Sequence, residues 1–272
     1  MNILTGGAIF ILGTIIGSFL NVVIYRYNSG ASPLSGRSQC FSCGKTLRWY
    51  ELVPLVSFVF QKGRCRACKV RLSWQYPFIE VLTGAIFLAV FFLERPPLES
   101  LYLVSIFSIL LVITVYDMRH QIIPDGFAAA FAILSLGWFF WTIPGGVMKV
   151  VEFPYYWSLL AGPILFLPFW ALWFFSGGRW MGLGDGKLAL GMGWFLGVTL
   201  GGSAVMFAFW IGAAYALVRL GLQKIIPVRS QLSFKSEIPF GPFLILGVFV
   251  VYFTHINFFD GSITLFDLLF TS

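Results

Sequence analysis

Charged side chains are scarce in this chain. Lys, Arg, Asp and Glu make up only 11% of its 272 residues, whereas 58% are hydrophobic, and the mean hydropathy is +0.87. Soluble domains carry about 25% charged residues, so the scarcity excludes an ordinary soluble domain. It predicts an all-α polytopic membrane protein, and the 31 Phe and 10 Trp residues suit lipid-facing surfaces and interfacial belts.

The sequence also lacks the marks of a cleaved signal peptide. No basic residue precedes the first apolar run, because the first one in the chain is Arg26, and no clear cleavage site follows. A low-complexity tail and an obvious internal repeat are absent too. We therefore expect residues 1–25 to form a retained first transmembrane helix.

Long apolar runs are plentiful, and a helical span needs about 20 residues. The stretch 188–222 is too long for one span and has a glycine-rich centre at 197–202, so it is divided in two. Eight predicted spans lie near residues 3–25, 74–94, 98–116, 126–143, 155–176, 186–197, 200–222 and 240–258.

Basic residues are nearly absent from one side of this arrangement. With both termini outside, 16 of the 18 Lys and Arg residues fall in loops 26–73, 117–125, 177–187 and 219–239. Cytoplasmic loops carry such an excess of Lys and Arg. A single helix over 188–222 would move the charges of the last loop outside, so eight spans are favoured over seven.

Cysteine occurs only in the long basic loop, as two Cys-x-x-Cys pairs separated by 21 residues: Cys40 and Cys43, then Cys65 and Cys68. This spacing is close to that of zinc ribbons, and four thiolates in a closed shell are typical of structural Zn²⁺. Disulfides are disfavoured in the cytoplasm, which leaves redox-active pairs as the main alternative. A zinc ribbon can bind nucleic acid, but a loop between two membrane helices is expected to lie on anionic lipid headgroups.

Carboxylates are expensive at membrane depth and are functional candidates there. Asp117 ends one apolar run and Asp185 begins another, and the predicted topology places both at cytoplasmic helix ends. Two carboxylates that share a proton can activate water and polarise a peptide carbonyl, so the pair predicts an aspartyl protease. Gly182 and Gly184 would let backbone approach a bound peptide closely, and Lys187 would tune Asp185 or mark the cytoplasmic side.

Simpler roles stay open for these acids. Asp185 could be the N-cap of the next helix, and Asp117 could be a solvated helix end. Asp125, which follows Pro124, is expected to be an ordinary N-cap. Glu80 is a lone carboxylate in an apolar helix, where it could receive the amino group of a substrate or pair with an arginine.

Six motifs, in order, resemble those of the bacterial type IV prepilin peptidases, also called prepilin leader peptidase/N-methyltransferases. They are residues 17–26 (GSFLNVVIYR), the two cysteine pairs, 76–80 (YPFIE), Asp117 with 123–125 (IPD), 182–187 (GLGDGK) and 238–242 (IPFGP). The motif at 182–187 is similar to the GxGD signature that is shared with presenilin-type proteases. The resemblance covers nearly the whole chain.

The resemblance implies two reactions at the bacterial inner membrane. Asp117 and Asp185 would cleave the short basic leader of type IV prepilins or type II secretion pseudopilins after a glycine, on the cytoplasmic side. The enzyme would then N-methylate the new amino terminus with S-adenosylmethionine. The zinc loop 26–73 would be the methyltransferase part, and 74–272 the peptidase domain.

The methyltransferase site is not marked by a motif, because no Gly-rich Rossmann fingerprint occurs. Glu51 and Glu80 are the candidate cofactor-binding residues. Residues 51–54 (ELVP) depart from the Asn-containing sequence that the family often has there.

Two alternatives remain. A peptidase without methyl transfer, similar to preflagellin peptidases, would not need the cysteine loop that this chain has. A transporter or scaffold with a zinc-ribbon docking loop would use the aspartates for ion coupling or capping.

Overall fold

The computed structural model is all-helical and describes residues 3–143, 149–150, 155–225 and 238–259. Within these ranges eight α-helices occur: α1 (Ile3–Arg26), α2 (Val56–Phe60), α3 (Gln75–Phe91), α4 (Pro97–His120), α5 (Asp125–Thr142), α6 (Tyr155–Ser176), α7 (Leu183–Ile225) and α8 (Gly241–Thr254). The predicted all-helical class is confirmed. Most of the predicted loop 219–239 lies outside the described residues.

Five of these helices are long and apolar enough to cross a membrane: α1, α4, α5, α6 and the Leu183–Leu222 part of α7. The helices α3 and α8 are apolar but shorter. The approximate lengths of the helices follow from the lengths of the apolar runs in the sequence.

The chain forms two compact units, Met1–Val112 and Ile113–Ser272, and their boundary falls within α4. In the first unit α1 and α3 approach closely at glycines. A Cβ on Gly13 would lie 2.8 Å from the Cα of Gly84, and one on Gly17 would lie 2.8 Å from the Cα of Glu80. Small residues permit this kind of packing between apolar helices.

Aromatic rings anchor the cysteine loop to the ends of the same two helices. Tyr25, in the last turn of α1, lies 5.3 Å from the ring of Phe41 and stacks 5.3 Å from the ring of Tyr76 at the start of α3. Phe41 lies between Cys40 and Cys43. The contacts therefore hold the first cysteine turn against the α1–α3 pair.

In the second unit α7 changes direction at Gly197, where φ is 80° and ψ is 177°. These angles are accessible essentially only to glycine. A Cβ on Gly201 would lie 3.6 Å from the carbonyl oxygen of Met192, although residues nine apart in a straight helix are roughly 13 Å apart. The parts before and after Gly197, the first and second arms of α7, therefore fold back towards each other. The predicted division of 188–222 into two helices is confirmed.

The other helices of the second unit pack around these arms. The indole N–H of Trp194, in the first arm, donates to the carbonyl oxygen of Leu159 in α6 at 2.9 Å. Gly191 faces the ring of Phe131 in α5, and Gly247 of α8 packs on the backbone of Ala204 in the second arm. This packing determines where the N-termini of α7 and α8 lie.

Candidate aspartate site and cysteine cluster

Two buried carboxylates come together in the second unit. Asp117, in the last turn of α4, is 4% exposed, and Asp185, in the first turn of α7, is 9% exposed. They are 68 residues apart in sequence, yet their charges lie close enough to interact. Asp185 is the third residue of α7 and not its N-cap, and Asp117 is not solvated, so neither simpler role fits. Interacting buried carboxylates are functional-site candidates.

Ile123 is the side chain around which this site is assembled. It is 8% exposed and lies in the turn between α4 and α5. A Cβ on Gly184 would lie 2.9 Å from the Cβ of Ile123, and a Cβ on Gly241 would lie 3.1 Å from its Cδ1. The N-termini of α7 and α8 therefore both pack on Ile123. In the sequence, the only signal for this residue is its place in the motif at 123–125.

Gly241 is a second residue whose place in the site is not evident from the sequence. It is the first residue of α8, and its backbone N–H donates a hydrogen bond to the Asp117 carboxylate. A Cβ at this position would lie 2.6 Å from the Oδ2 of Asp117. The motif at 238–242 thus has a direct contact with one of the two acids.

The Lys187 ammonium is paired with the carboxylate of Asp125. Its Nζ lies 2.6 Å from the Oδ1 of Asp125; the Lys187 side chain is partly exposed and that of Asp125 is largely exposed. The predicted N-cap role of Asp125 is wrong, because α5 has Pro124 at its N-cap position and no side-chain capping bond. Asp125 instead joins the start of α5 to Lys187 of α7, which follows Asp185 by two residues.

The two supporting glycines differ in their surroundings. A Cβ on Gly182 would have open space, with its nearest neighbours 3.9 Å or more away, one of them the Oδ2 of Asp185 at 4.0 Å. Gly184, by contrast, is packed against Ile123. Close approach of a peptide backbone stays a prediction for Gly182, whereas the contact with Ile123 already requires glycine at 184.

The four cysteines meet in the loop of the first unit. Their sulfur atoms all lie within 4.8 Å of one another, and the Sγ atoms of Cys40 and Cys68 are 3.8 Å apart. Four sulfurs bound tetrahedrally to zinc at about 2.3 Å would be about 3.8 Å apart. All four are free thiols, so the cluster can hold a metal ion, and its donor set suits Zn²⁺.

The two cysteine turns share one backbone pattern. The N–H of the first cysteine in each turn donates to the carbonyl five residues on, and its own carbonyl accepts from the N–H four residues on. That fourth residue has a positive φ in both turns, 69° at Gly44 and 58° at Lys69. In the second turn the N–H groups of Cys68 and Ala67 lower the pKa of the Cys65 thiol to about 6, which favours the thiolate that a metal requires.

Comparison with known proteins identifies the family. The chain is 30% identical to the prepilin leader peptidase/N-methyltransferase of Bacillus subtilis (strain 168) over 90% of its own length and 92% of that protein. The chain belongs to the type IV prepilin leader peptidase/N-methyltransferase family. Two family models agree: the bacterial peptidase A24 N-terminal domain matches residues 11–93, and the type IV leader peptidase family matches residues 104–217.

Other prepilin leader peptidase/N-methyltransferases are similarly related. The protein of Pectobacterium carotovorum subsp. carotovorum is 30% identical, over 89% of this chain and 90% of its own. That of Burkholderia pseudomallei (strain 1026b) is 30% identical, over 87% of this chain and 81% of its own. No solved structure matches the chain significantly.

In this member of the prepilin leader peptidase family, Glu51 is buried beside the first cysteine turn. Its carboxylate accepts hydrogen bonds from the Lys45 ammonium at 3.0 Å and from the Arg48 N–H at 2.9 Å. The Arg48 N–H, and then Lys45, lower the pKa of Glu51 despite its burial. Both carboxylate oxygens are therefore engaged within the loop, and a cofactor-binding role for Glu51 stays a prediction.

Glu80 connects the same loop to α3. It is 6% exposed, and it accepts a hydrogen bond from the N–H of Leu55 at 2.8 Å and another from Ser18. The partners of Glu80 among the described residues are thus a backbone amide and a hydroxyl group, and not an arginine. Leu55 has φ 58° and ψ −52°, and the Val56 N–H donates to the carbonyl of Pro54 at 2.5 Å. These angles form a γ-turn, which is a strained conformation for a non-glycine residue.

Proposed function

We propose that this protein removes the leader peptide of type IV prepilins or type II secretion pseudopilins, with Asp117 and Asp185 as its catalytic pair. Membership of the prepilin leader peptidase family supports the substrate class. The observation that carries the residue assignment is that two buried carboxylates, far apart in sequence, interact at adjacent helix ends.

The chemistry follows from two carboxylates that share one proton. The ionised carboxylate accepts a proton from the attacking water, whose oxygen bonds to the scissile carbonyl carbon. The protonated carboxylate donates its hydrogen bond to the carbonyl oxygen. When the tetrahedral intermediate collapses, the C–N bond breaks and the leaving amine takes a proton from the pair, which returns to its starting state.

We propose eight membrane crossings, with both termini outside and the active site facing the cytoplasm. The short helices α3 and α8 and the two arms of α7 would complete the five longer candidates. Asp117 and Asp185 lie at helix ends, so the cleavage site would be at the membrane boundary. The apolar helix of a pilin could then enter from the lipid while its basic leader stays in water.

The second proposed reaction is N-methylation of the new amino terminus, for which S-adenosylmethionine would supply the methyl group. We assign this reaction to loop 26–73 and its contact with α3, after a first helix over 1–25, and assign cleavage to 74–272. Structural Zn²⁺ on Cys40, Cys43, Cys65 and Cys68 would keep the loop folded. Glu51 and Glu80 would act by holding the loop in place, since both carboxylates are engaged there.

Mass spectrometry of a pilin-like substrate incubated with the purified protein and S-adenosylmethionine tests both reactions. The variants Asp117→Asn and Asp185→Asn are compared with Glu99→Gln, a carboxylate substitution in the first turn of α4. We expect leader loss and the gain of one methyl group with the wild type and Glu99→Gln, and no cleavage with either aspartate variant.

The other outcomes separate the alternatives. Leader loss without methylation would leave a peptidase only. Full cleavage by both aspartate variants would rule out the pair. A well-folded wild type that cleaves none of several suitable substrates would favour a transporter or scaffold.

A further inference from the structure

The N-terminus of α8 is in direct contact with one of the two acids. The first N–H groups of any helix lack partners inside the helix. In α8 the N–H of Gly241 donates to the Asp117 carboxylate. The next residue, Pro242, has no N–H at all. The helix therefore directs its first amide at Asp117.

The glycine at position 241 is required by this contact and not by its backbone conformation. Gly241 is not among the glycines with a positive φ, so alanine could adopt the same backbone. A Cβ, however, would lie 2.6 Å from the Oδ2 of Asp117, and it would push the carboxylate out of its position. Only a residue without a side chain allows both the hydrogen bond and the observed placement of the acid.

The amide belongs to a firmly packed helix. Leu244, Val248 and Val251 of α8 are fully buried, and the Phe240 ring, just before the helix, packs 4.8 Å from the ring of Phe209 in α7. A hydrogen-bond donor on such a helix is preorganised, because its own position is set by packing.

We propose that Gly241 is a positioning residue of the aspartate pair: its amide orients the Asp117 carboxylate, and its lack of a Cβ leaves room for it. This inference rests on the proposed peptidase function. It makes α8 a third structural part of the active site, beside the end of α4 and the start of α7.

Steady-state kinetics of Gly241→Ala test the proposal. The matched control is Gly212→Ala, where a Cβ would meet Phe243 of α8 at an ordinary 3.4 Å. Misplacing a catalytic group by about 1 Å can cost roughly 100-fold in rate. We expect Gly241→Ala to lower kcat at least about tenfold with KM nearly unchanged, and Gly212→Ala to behave as the wild type. Equal kcat values for Gly241→Ala and wild type would overturn the inference.

A thermal unfolding cycle gives a second test that needs no activity. Asp117→Ala removes the carboxylate that the new Cβ would meet and leaves only its contact with the Cδ1 of Ile123 at 3.1 Å. We therefore expect Gly241→Ala to lower the Tm of the wild type by clearly more than it lowers the Tm of Asp117→Ala. If Gly241→Ala alone does not fold, a double variant that does fold would equally support the positioning role. An equal loss of Tm in both backgrounds, or a double variant that does not fold either, would contradict the positioning role. A wild type without peptidase activity would instead contradict the proposed function.

Discussion

Single side chains hold the aspartate site together, and Ile123 is the clearest case. Gly184 and Gly241 both lie where a Cβ would press on this residue, at 2.9 and 3.1 Å. The two glycines of the motif at 182–187 that precede Asp185 thus have different structural roles. Gly184 is a packing position, while a Cβ at Gly182 would meet open space.

Replacing Gly182 and Gly184 singly by alanine distinguishes these structural roles. Gly184→Ala should displace Ile123 or the start of α7, because overpacking at a buried contact costs about 1–3 kcal/mol. We expect a lower Tm and a lower kcat. Gly182→Ala should leave the Tm unchanged, since its Cβ meets no atom closer than 3.9 Å. Melting curves and cleavage rates of both variants check this, and a stable, fully active Gly184→Ala would contradict it.

At the scale of elements, the cysteine loop depends on contacts that its own short helix α2 cannot supply. The helix α2 has five residues, and none of its side chains is buried. What holds the loop is the sulfur cluster, the ring contact from Tyr25 to Phe41, and the hydrogen bond from Leu55 to Glu80. Small units with so little core usually need a metal or disulfides.

Removing one sulfur ligand should therefore both release the metal and loosen the loop. We expect Cys40→Ser or Cys68→Ser to lower the zinc content below one ion per protein, and hydrogen exchange in residues 38–72 to become faster. The control is Ser42→Ala, which lies between two of the cysteines and should retain the metal. Elemental analysis of the purified variants measures this. Full occupancy in both cysteine variants would show that the site does not use four thiolates.

At the scale of the whole molecule, the fold-back of α7 at Gly197 bears on the proposed side of the membrane on which the chain continues. The part Leu183–Leu222 has 40 residues, about 60 Å if straight, which is twice the roughly 30 Å hydrocarbon core. The two crossings that we propose would return the chain to the side on which α7 began. This agrees with the basic residues expected on the cytoplasmic side.

Alkaline phosphatase fusions test this topology, because the reporter is active only outside the cytoplasm. Fusions after Arg95 and Lys149 should be active, and fusions after Lys62 and Arg179 inactive. The deciding fusion is placed after Lys224. We expect its reporter to be inactive, because α7 would cross the membrane twice. An active reporter would mean that α7 crosses once.

Much of this architecture could be predicted from local patterns. Apolar length predicts helices, because each run must satisfy its backbone hydrogen bonds internally in lipid. Charge asymmetry predicted the division of 188–222, and the cysteine spacing predicted a four-sulfur cluster, which the structure confirms as a geometric group. The N-cap prediction for Asp125 failed, because a long-range partner, Lys187, holds its side chain.

The amino-acid sequence by itself determined the helical class, the approximate limits of the helices, the cysteine cluster and the two acids worth examining. These depend on properties that residues close in sequence share, such as hydrophobic length and ligand spacing. Only the tertiary structure decided that Ile123 is the common contact of Gly184 and Gly241, that α8 directs an amide at Asp117, and that Glu80 holds a strained turn. Such contacts join segments dozens of residues apart, and they depend on how whole helices pack, which no local pattern encodes.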